Sequence, residues 1–199
     1  RDGPPMPKII HASPLPEVEI PDVTITAHVL RKADELADRV AIRDTSGVSS
    51  YTFAELKEAL FSLAGGMAAR GVAPGSVVGL MAPNLPEYAV VFHGVAVAGA
   101  AVSTISPNYG PEEVRHPLND TGASILVTVP MFAETALTAV EGTQVKEVVV
   151  IGEAVHGTTP LADLFAAPID QVPVDVATHT VVLPYSSGTT GLPKGVMLS

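Results

Sequence analysis

Four short apolar runs, alternating with segments that carry helix signals, constrain the fold of this chain most strongly. The runs are Val77–Met81, Ala101–Ile105, Ile125–Val129 and Val148–Ile151. Prolines that suit the first turn of a helix lie between them at Pro86, Pro111 and Pro130. The first of these segments is uninterrupted, as is typical of a strand buried on both faces, and strands that alternate with helices predict a parallel sheet. The expected fold class is therefore α/β, with a mostly parallel sheet flanked by helices on both faces.

The region before the first run is predicted to hold an arm, a helix and a hairpin. Residues 1–24 are rich in proline and are expected to form an extended arm. From Thr26, apolar residues recur at helical spacing as far as Ala37, which predicts a helix. Val40–Arg43 and Ser49–Tyr51 favour two short strands joined by a turn.

A second helix is marked at both of its ends. Thr52 and Glu55 have the spacing of a capping box, and Gly71 suits the helix stop. The pattern is less regular across residues 152–178, where a short helix is predicted around Leu161–Ala166. A final strand is predicted at Thr180–Leu183.

Composition excludes several classes of function. The 199 residues carry 11 Lys+Arg against 21 Asp+Glu, a net charge of −10, which argues against binding nucleic acid or anionic membrane through bulk charge. The absence of cysteine excludes disulfides and thiolate metal sites, and the six scattered histidines predict no metal site. The longest uncharged apolar run, Tyr88–Val102, is shorter than the about 20 residues of a membrane span. No signal peptide is evident, and a cytoplasmic location is expected.

Residues 186–194, within the segment 185–195, combine four hydroxyl side chains, two spaced glycines and a lysine. Glycine allows successive backbone N–H groups to converge on an anion, while hydroxyls and a lysine add donors and charge. Pro193 precedes Lys194 and Gly195 follows it, unlike a Walker A loop, and the apolar residues Val196–Leu198 predict a strand after the loop. A polyphosphate site in a strand–loop–strand unit is therefore predicted; the alternative is a plain glycine-rich turn.

This segment resembles the phosphate-binding loop of the adenylate-forming enzymes, which include acyl- and aryl-CoA synthetases, peptide-synthetase adenylation domains and beetle luciferases. Residues 51–56 and 98–102, the latter leading to Pro107, resemble two further motifs of that superfamily in the same order. Considered alone, residues 51–56 are explained as a helix cap, and residues 98–102 as small residues that let a helix end pack on the sheet. Residues 183–198, and 13–16 with 20–21, are similar to the 4-coumarate–CoA ligase-like group.

The resemblance implies ATP-dependent ligation of a small-molecule carboxylic acid to CoA, through an acyl-adenylate and with release of pyrophosphate. ATP, Mg²⁺ and CoA are the implied cofactors and co-substrates. The positions implied to contact the ATP phosphates are Ser186, Ser187, Gly188, Thr189, Thr190, Gly191 and Lys194. No catalytic residue and no metal ligand are implied within this chain.

The resemblance also implies that the chain is an N-terminal fragment. Residues 25–199 would form the first part of the large AMP-binding domain, ending in the phosphate-loop hairpin at 185–195. The rest of that domain and a small C-terminal domain would be missing, so the fragment itself is expected to be inactive and able to self-associate through its cut end. The alternatives are an adenylation domain that loads a carrier protein, a luciferase-like oxygenase, and a non-catalytic fragment.

Overall fold

The computed structural model describes residues 14–16, 18–186 and 193–199. Its α-helices are α1 (Ile25–Leu30), α2 (Phe53–Ala69), α3 (Pro86–Val97), α4 (Pro111–Thr121) and α5 (Ala133–Val140). Its strands are β1 (Val40–Arg43), β2 (Ser50–Thr52), β3 (Val77–Leu80), β4 (Ala101–Thr104), β5 (Ile125–Thr128), β6 (Glu147–Val150), β7 (Thr159–Pro160), β8 (Val182–Ser186) and β9 (Lys194–Gly195). Short 3-10 helices span Pro130–Phe132 and Leu161–Leu164.

One large sheet organises the molecule. Within the described ranges it has seven strands, in the order β7-β6-β5-β3-β4-β8-β9, and β1 and β2 form a separate antiparallel hairpin. Each neighbouring pair from β7 across to β8 is parallel, whereas β8 and β9 are antiparallel. The predictions of a mostly parallel sheet and of the early hairpin are therefore confirmed.

The strand order explains why helices cover both faces of the sheet. The chain leaves β3, forms α3 and returns as β4 on one side of β3; it then forms α4 and returns as β5 on the other side. Because crossovers between parallel strands are right-handed, steps in opposite directions along the sheet place α3 and α4 on opposite faces.

Two apolar layers result from this arrangement. The first lies between the sheet and helices α2 and α3, and its members include Leu60, Leu63, Met67, Val90, Val95, Leu80, Val102 and Val127. The second lies between the sheet and helices α4 and α5, and its members include Met81, Ile105, Val114, Leu118, Leu126, Ala136 and Ala139. Each strand of the sheet centre thus contributes alternate residues to opposite layers, as the period-2 geometry of a strand requires.

The capping box predicted for α2 is present. The Thr52 hydroxyl accepts a bond from the Glu55 N–H at 3.2 Å, and the Glu55 carboxylate accepts one from the Thr52 N–H at 2.8 Å. The predicted stop is also confirmed, since Gly71 follows the helix with a φ of 83°. The two capping bonds between Thr52 and Glu55 satisfy two backbone N–H groups that a helix start leaves unpaired.

The first helix is shorter than its apolar spacing predicts. α1 begins at Ile25 and ends at Leu30, and successive turns follow it rather than a helix reaching Ala37. The Ala33 N–H bonds to the carbonyl of Leu30, three residues back, which is turn spacing rather than α-helical spacing. Ala33 is still buried, because turns can bury the same residue without continuing a helix.

Four other elements differ from their predicted bounds or type. The helix predicted from Pro130 starts as a 3-10 turn, and the one around Leu161–Ala166 is a 3-10 helix that ends at Leu164. The final parallel strand is Val182–Ser186 rather than Thr180–Leu183. The strand after the loop is Lys194–Gly195, and of the predicted Val196–Leu198 only Leu198 forms a bridge, with Val182, among the described residues.

No helix within the described ranges is both long enough and apolar enough to span a membrane.

The β9 edge of the sheet is predicted to mediate self-association. β9 ends the strand order, and Val196, Met197 and Leu198 beyond it are 43%, 73% and 46% exposed. An unpaired edge beside exposed apolar side chains favours pairing with another copy. We expect the apparent mass in size-exclusion chromatography to rise with concentration, and Met197→Lys to reduce that rise; a monomer at every concentration would contradict this prediction.

Candidate functional site

Two of the residues predicted to bind phosphate lie where β8 ends and β9 begins. Ser186 is the last residue of β8, Lys194 is the first of β9, and the two are partners in the antiparallel ladder. The predicted positions outside the described residues are Ser187, Gly188, Thr189, Thr190 and Gly191. The structure thus brings the two ends of the predicted loop side by side.

This junction lies at the edge where the parallel strands end. β8 is parallel to β4, so the end of β8 at Ser186 faces the same way as the end of β4 at Thr104. β9 runs in the opposite direction and therefore starts at that edge. Ligands of open α/β sheets bind outside the carboxyl ends of the strands, so the location suits a binding site.

Among the described residues, no acidic side chain forms an ion pair with Lys194. Its side chain is exposed, and the ion pairs found in the part of the chain that the structure describes use Lys57, Arg70 and Arg115 instead. An unpaired ammonium group offers three hydrogen-bond donors and a compact positive charge. This local charge can attract a phosphate although the chain as a whole carries −10.

Gly195 makes room for the ring of Tyr185. The two residues are partners across the β8–β9 ladder, and a Cβ atom on Gly195 would lie 3.2 Å from both Cζ and the hydroxyl oxygen of Tyr185. Such a contact is tighter than ordinary van der Waals packing. A glycine after Lys194 therefore lets the tyrosine ring lie directly over the start of β9.

The Tyr185 hydroxyl contacts a carboxylate of helix α4. It donates a hydrogen bond to Oδ2 of Asp120 at 2.5 Å. Burial, together with this hydrogen bond and the negative charge of Asp120, raises the pKa of the Tyr185 phenol above its usual value. The phenol therefore keeps its proton at neutral pH and acts as the donor in a charge-assisted bond.

His116 of the same helix contacts the other strand end. Its Nε2 lies 3.0 Å from the carbonyl oxygen of Pro193. A carbonyl oxygen only accepts, so Nε2 carries the proton in this contact. The imidazole also meets the Tyr185 ring edge-on, with centroids 5.9 Å apart and an interplanar angle of 79°.

Sequence reasoning did not find the α4 residues. His116 is one of the six scattered histidines for which the sequence predicts no metal site, and the sequence gives no role to Asp120. One signal was available: the two are four positions apart within a predicted helix, which places them on the same face. That signal does not identify what the face contacts, because Tyr185 and Pro193 are 65 and 77 residues away along the chain.

The earlier motifs have structural roles, in agreement with their interpretation from sequence alone. Residues 51–56 form the capped start of α2. In residues 98–102, Gly99 has a φ of 77° and turns the chain from α3 into β4, packed against Pro74 and Val172. Among the described residues there is no group of three or more His, Asp or Glu side chains that could hold a metal ion.

Curated relatives are similar along almost the whole chain. A 4-coumarate–CoA ligase of Pinus taeda is 36% identical over 194 residues, which cover 96% of this chain and 36% of that protein. 4-coumarate–CoA ligase 5 of Oryza sativa subsp. japonica is 35% identical over 196 residues, with the same coverage. The chain thus spans about a third of the length of these relatives.

Solved structures share the fold. A long-chain-fatty-acid-CoA ligase from Archaeoglobus fulgidus superimposes with a TM-score of 0.83 at 27% identity, covering 95% of this chain and 39% of that one. An acetoacetyl-CoA synthetase from Streptomyces lividans gives a TM-score of 0.76 at 29% identity, covering 86% and 29% respectively. The α/β architecture therefore matches the N-terminal domain of adenylate-forming enzymes.

The family assignment follows from a match over most of the chain. The family model described as "AMP-binding enzyme" matches residues 29–199, which include all of the sheet and the β8–β9 junction. Together with the relatives, this match shows that the chain belongs to the AMP-binding enzyme family.

Proposed function

We propose that this chain supplies the ATP phosphate-binding part of a carboxylic acid–CoA ligase that acts through an acyl-adenylate. The single observation that carries the proposal is the junction of Ser186 and Lys194 at the carboxyl edge of the sheet, in a chain of the AMP-binding family. In the proposal, Lys194 and the positions from Ser186 to Gly191 contact the phosphates of ATP.

The reaction has two balanced halves. A carboxylate oxygen of the acid forms a bond to the α-phosphorus of ATP, and the bond from that phosphorus to the bridging oxygen breaks, so pyrophosphate leaves with the electron pair. The CoA thiol then loses its proton to solvent, its sulfur forms a bond to the acyl carbon, and the bond from that carbon to the phosphate oxygen breaks, so AMP leaves with the electron pair. Negative charge accumulates on the departing pyrophosphate, where preorganised donors and a lysine stabilise it.

The chain's own contribution is binding and orientation of the triphosphate. Lys194 provides a fixed positive charge, and backbone N–H groups and hydroxyls provide directed donors. In the proposal Mg²⁺ arrives bound to the phosphate oxygens of ATP, oxygen being the ligand type it prefers. The acyl pocket is not assigned to any residue of this chain.

The relatives suggest which acids to test first. Curated relatives named 4-coumarate–CoA ligase are 36% and 35% identical to this chain, so we propose an aryl-propenoic acid of that type as substrate. A structural neighbour is named as a long-chain-fatty-acid-CoA ligase, and long-chain fatty acids form the second group.

The proposal is tested by trapping the adenylate. The complete gene product is incubated with ATP, Mg²⁺ and each acid, and pyrophosphate release and hydroxamate formation with hydroxylamine are measured. We expect acid-dependent release of pyrophosphate, and a CoA thioester when CoA replaces hydroxylamine. Acylation of a carrier protein but not of CoA would favour the carrier-loading alternative. Absence of ATP consumption with every acid would overturn the proposal.

The chain of 199 residues is measured in parallel. Since it spans about a third of its relatives, we propose that it forms no hydroxamate by itself. Contacts to the phosphates alone are expected to bind ATP with a Kd weaker than about 1 mM. Micromolar binding in calorimetry, or hydroxamate formation by this chain, would contradict that part of the proposal.

A further inference from the structure

Helix α4 contacts strand β8 and the residue that precedes strand β9. Asp120 accepts the Tyr185 hydroxyl at 2.5 Å, at the end of the incoming strand β8. His116, one helical turn earlier, donates to the Pro193 carbonyl at 3.0 Å, immediately before Lys194. Because residues four apart share a face of a helix, one rigid surface holds the strand that enters the loop and the segment that leaves it.

In the β8–β9 unit, meaning strands β8 and β9, β8 is supported by β4, whereas β9 pairs only with β8 among the described residues. Its ladder pairs are Tyr185 with Gly195 and Ser186 with Lys194, extended by a bond of 2.9 Å from the Val196 N–H to the Pro184 carbonyl and by bonds of Leu198 with Val181 and Val182. A two-residue strand at a sheet edge is marginally stable without further packing. The position of Lys194 therefore depends on what else holds β9.

The contacts with α4 are suited to that task. The Tyr185 ring lies between Gly195, with its 3.2 Å approach, and Asp120, so it transmits the position of α4 to β9. The bond from His116 to the Pro193 carbonyl fixes the residue next to Lys194. Neither bond involves the Lys194 ammonium group. The two bonds therefore orient the strand and leave the ammonium group available to a ligand.

We propose that Tyr185, Asp120 and His116 are positioning residues that set the place of Lys194, and thereby the affinity for the triphosphate; the functional part of this inference rests on the proposed ligase activity. They act through the backbone of β8 and β9 and contact no substrate.

The tyrosine–carboxylate bond is tested first, in the complete gene product. Tyr185→Phe and Asp120→Leu are expected to lower kcat/KM for ATP by about three- to tenfold, the range for a charge-assisted bond that is partly exposed. The double variant is expected to lose no more than either single one, because both remove the same bond. Asp120→Asn keeps an acceptor and is expected to retain most of the wild-type value.

A control removes a longer tyrosine–carboxylate contact elsewhere in the chain. The Tyr51 hydroxyl donates to Oε1 of Glu87 at 3.5 Å, so Tyr51→Phe deletes a tyrosine–carboxylate contact outside the β8–β9 unit. We expect it to leave kcat/KM for ATP unchanged. The positioning role would be overturned if Tyr185→Phe and Tyr51→Phe had equal kcat/KM for ATP. It would also be overturned if Tyr185→Phe lowered kcat/KM for ATP and for the acid equally, together with the unfolding temperature.

Two histidine variants separate the hydrogen bond from the ring contact. His116→Gln keeps an N–H donor for the Pro193 carbonyl, whereas His116→Phe keeps a ring against Tyr185 without that donor. We expect His116→Gln to retain kcat/KM for ATP and His116→Phe to lower it about three- to tenfold. The reverse order of the two variants would contradict the proposed bond.

An amide-exchange measurement separates this inference from the proposed function. The Val196 N–H bonds to the Pro184 carbonyl and the Leu198 N–H to that of Val182, so both amides report on the pairing of the outgoing chain. Tyr185→Phe and His116→Phe are expected to speed exchange at both amides, with strands β3 and β4 unchanged. Faster exchange in a protein that uses no ATP would support the anchoring and refute the ligase proposal. Unchanged exchange would refute the anchoring whatever the activity.

Discussion

Gly66→Ala is expected to destabilise the fold by at least about 3 kcal/mol, although alanine normally stabilises a helix interior by about 1 kcal/mol over glycine. Gly66 lies within α2. A Cβ atom at this position would overlap the backbone carbonyl of Leu164, which packs directly against the helix. Leu164 is itself fully buried in the first apolar layer, so it cannot move aside without opening that layer. Thermal unfolding followed by circular dichroism should show a midpoint lower by on the order of 10 °C.

Two further variants calibrate this result. Gly65→Ala would overlap the carbonyl oxygen of Ala167 and is expected to behave like Gly66→Ala. Ala68→Gly changes an exposed residue of the same helix and should cost only about 1 kcal/mol through helix propensity. A Gly66→Ala protein that unfolds at or above the wild-type temperature would contradict the close approach of residues 164–167 to α2.

Lys194→Met is expected to lower kcat/KM for ATP by about a hundredfold or more in the complete gene product, the loss typical when one preorganised group on a developing anion is removed. The side chain is exposed and takes part in none of the ion pairs among the described residues. Its removal should therefore leave the unfolding temperature unchanged. The measurement is pyrophosphate release at varied ATP with the acid saturating.

Lys57→Met is the matched control for charge removal. Lys57 pairs with Asp34 at 2.6 Å on the surface, and an exposed pair contributes about 0.2–1 kcal/mol to stability. We expect this variant to keep wild-type kinetics with a slightly lower unfolding temperature. If Lys194→Met turned over ATP as well as Lys57→Met does, the proposed phosphate-binding role of Lys194 would be wrong.

The central strands and helix ends were predictable because their causes are local. β3 to β6 are short, mainly apolar segments, and the Thr52–Glu55 capping box and the glycine stop at Gly71, with a φ of 83°, depend on neighbours a few residues apart. Parallel pairing then follows from the alternation of strands with helices.

The predictions failed where local signals were weak or competed with other contacts. The two-residue strand β7 was missed, since it contains Pro160 and pairs on one side only. β8 continues to Ser186 because β9 pairs with it there, and that pairing is not visible in the apolar pattern. α1 ends at Leu30 although the apolar spacing continues to Ala37, since spacing alone does not distinguish a helix from successive turns.

The sequence by itself determined the α/β class, the order of its elements and the resemblance to the AMP-binding enzymes, because apolar period, caps and the 185–195 motif are all properties of short segments. Only the tertiary structure decided that α4 holds the β8–β9 unit through His116 and Asp120, and that residues 164–167 lie on the backbone of α2 at Gly65 and Gly66. Those contacts join residues far apart in the chain, and their existence depends on how the crossovers place whole helices against the sheet.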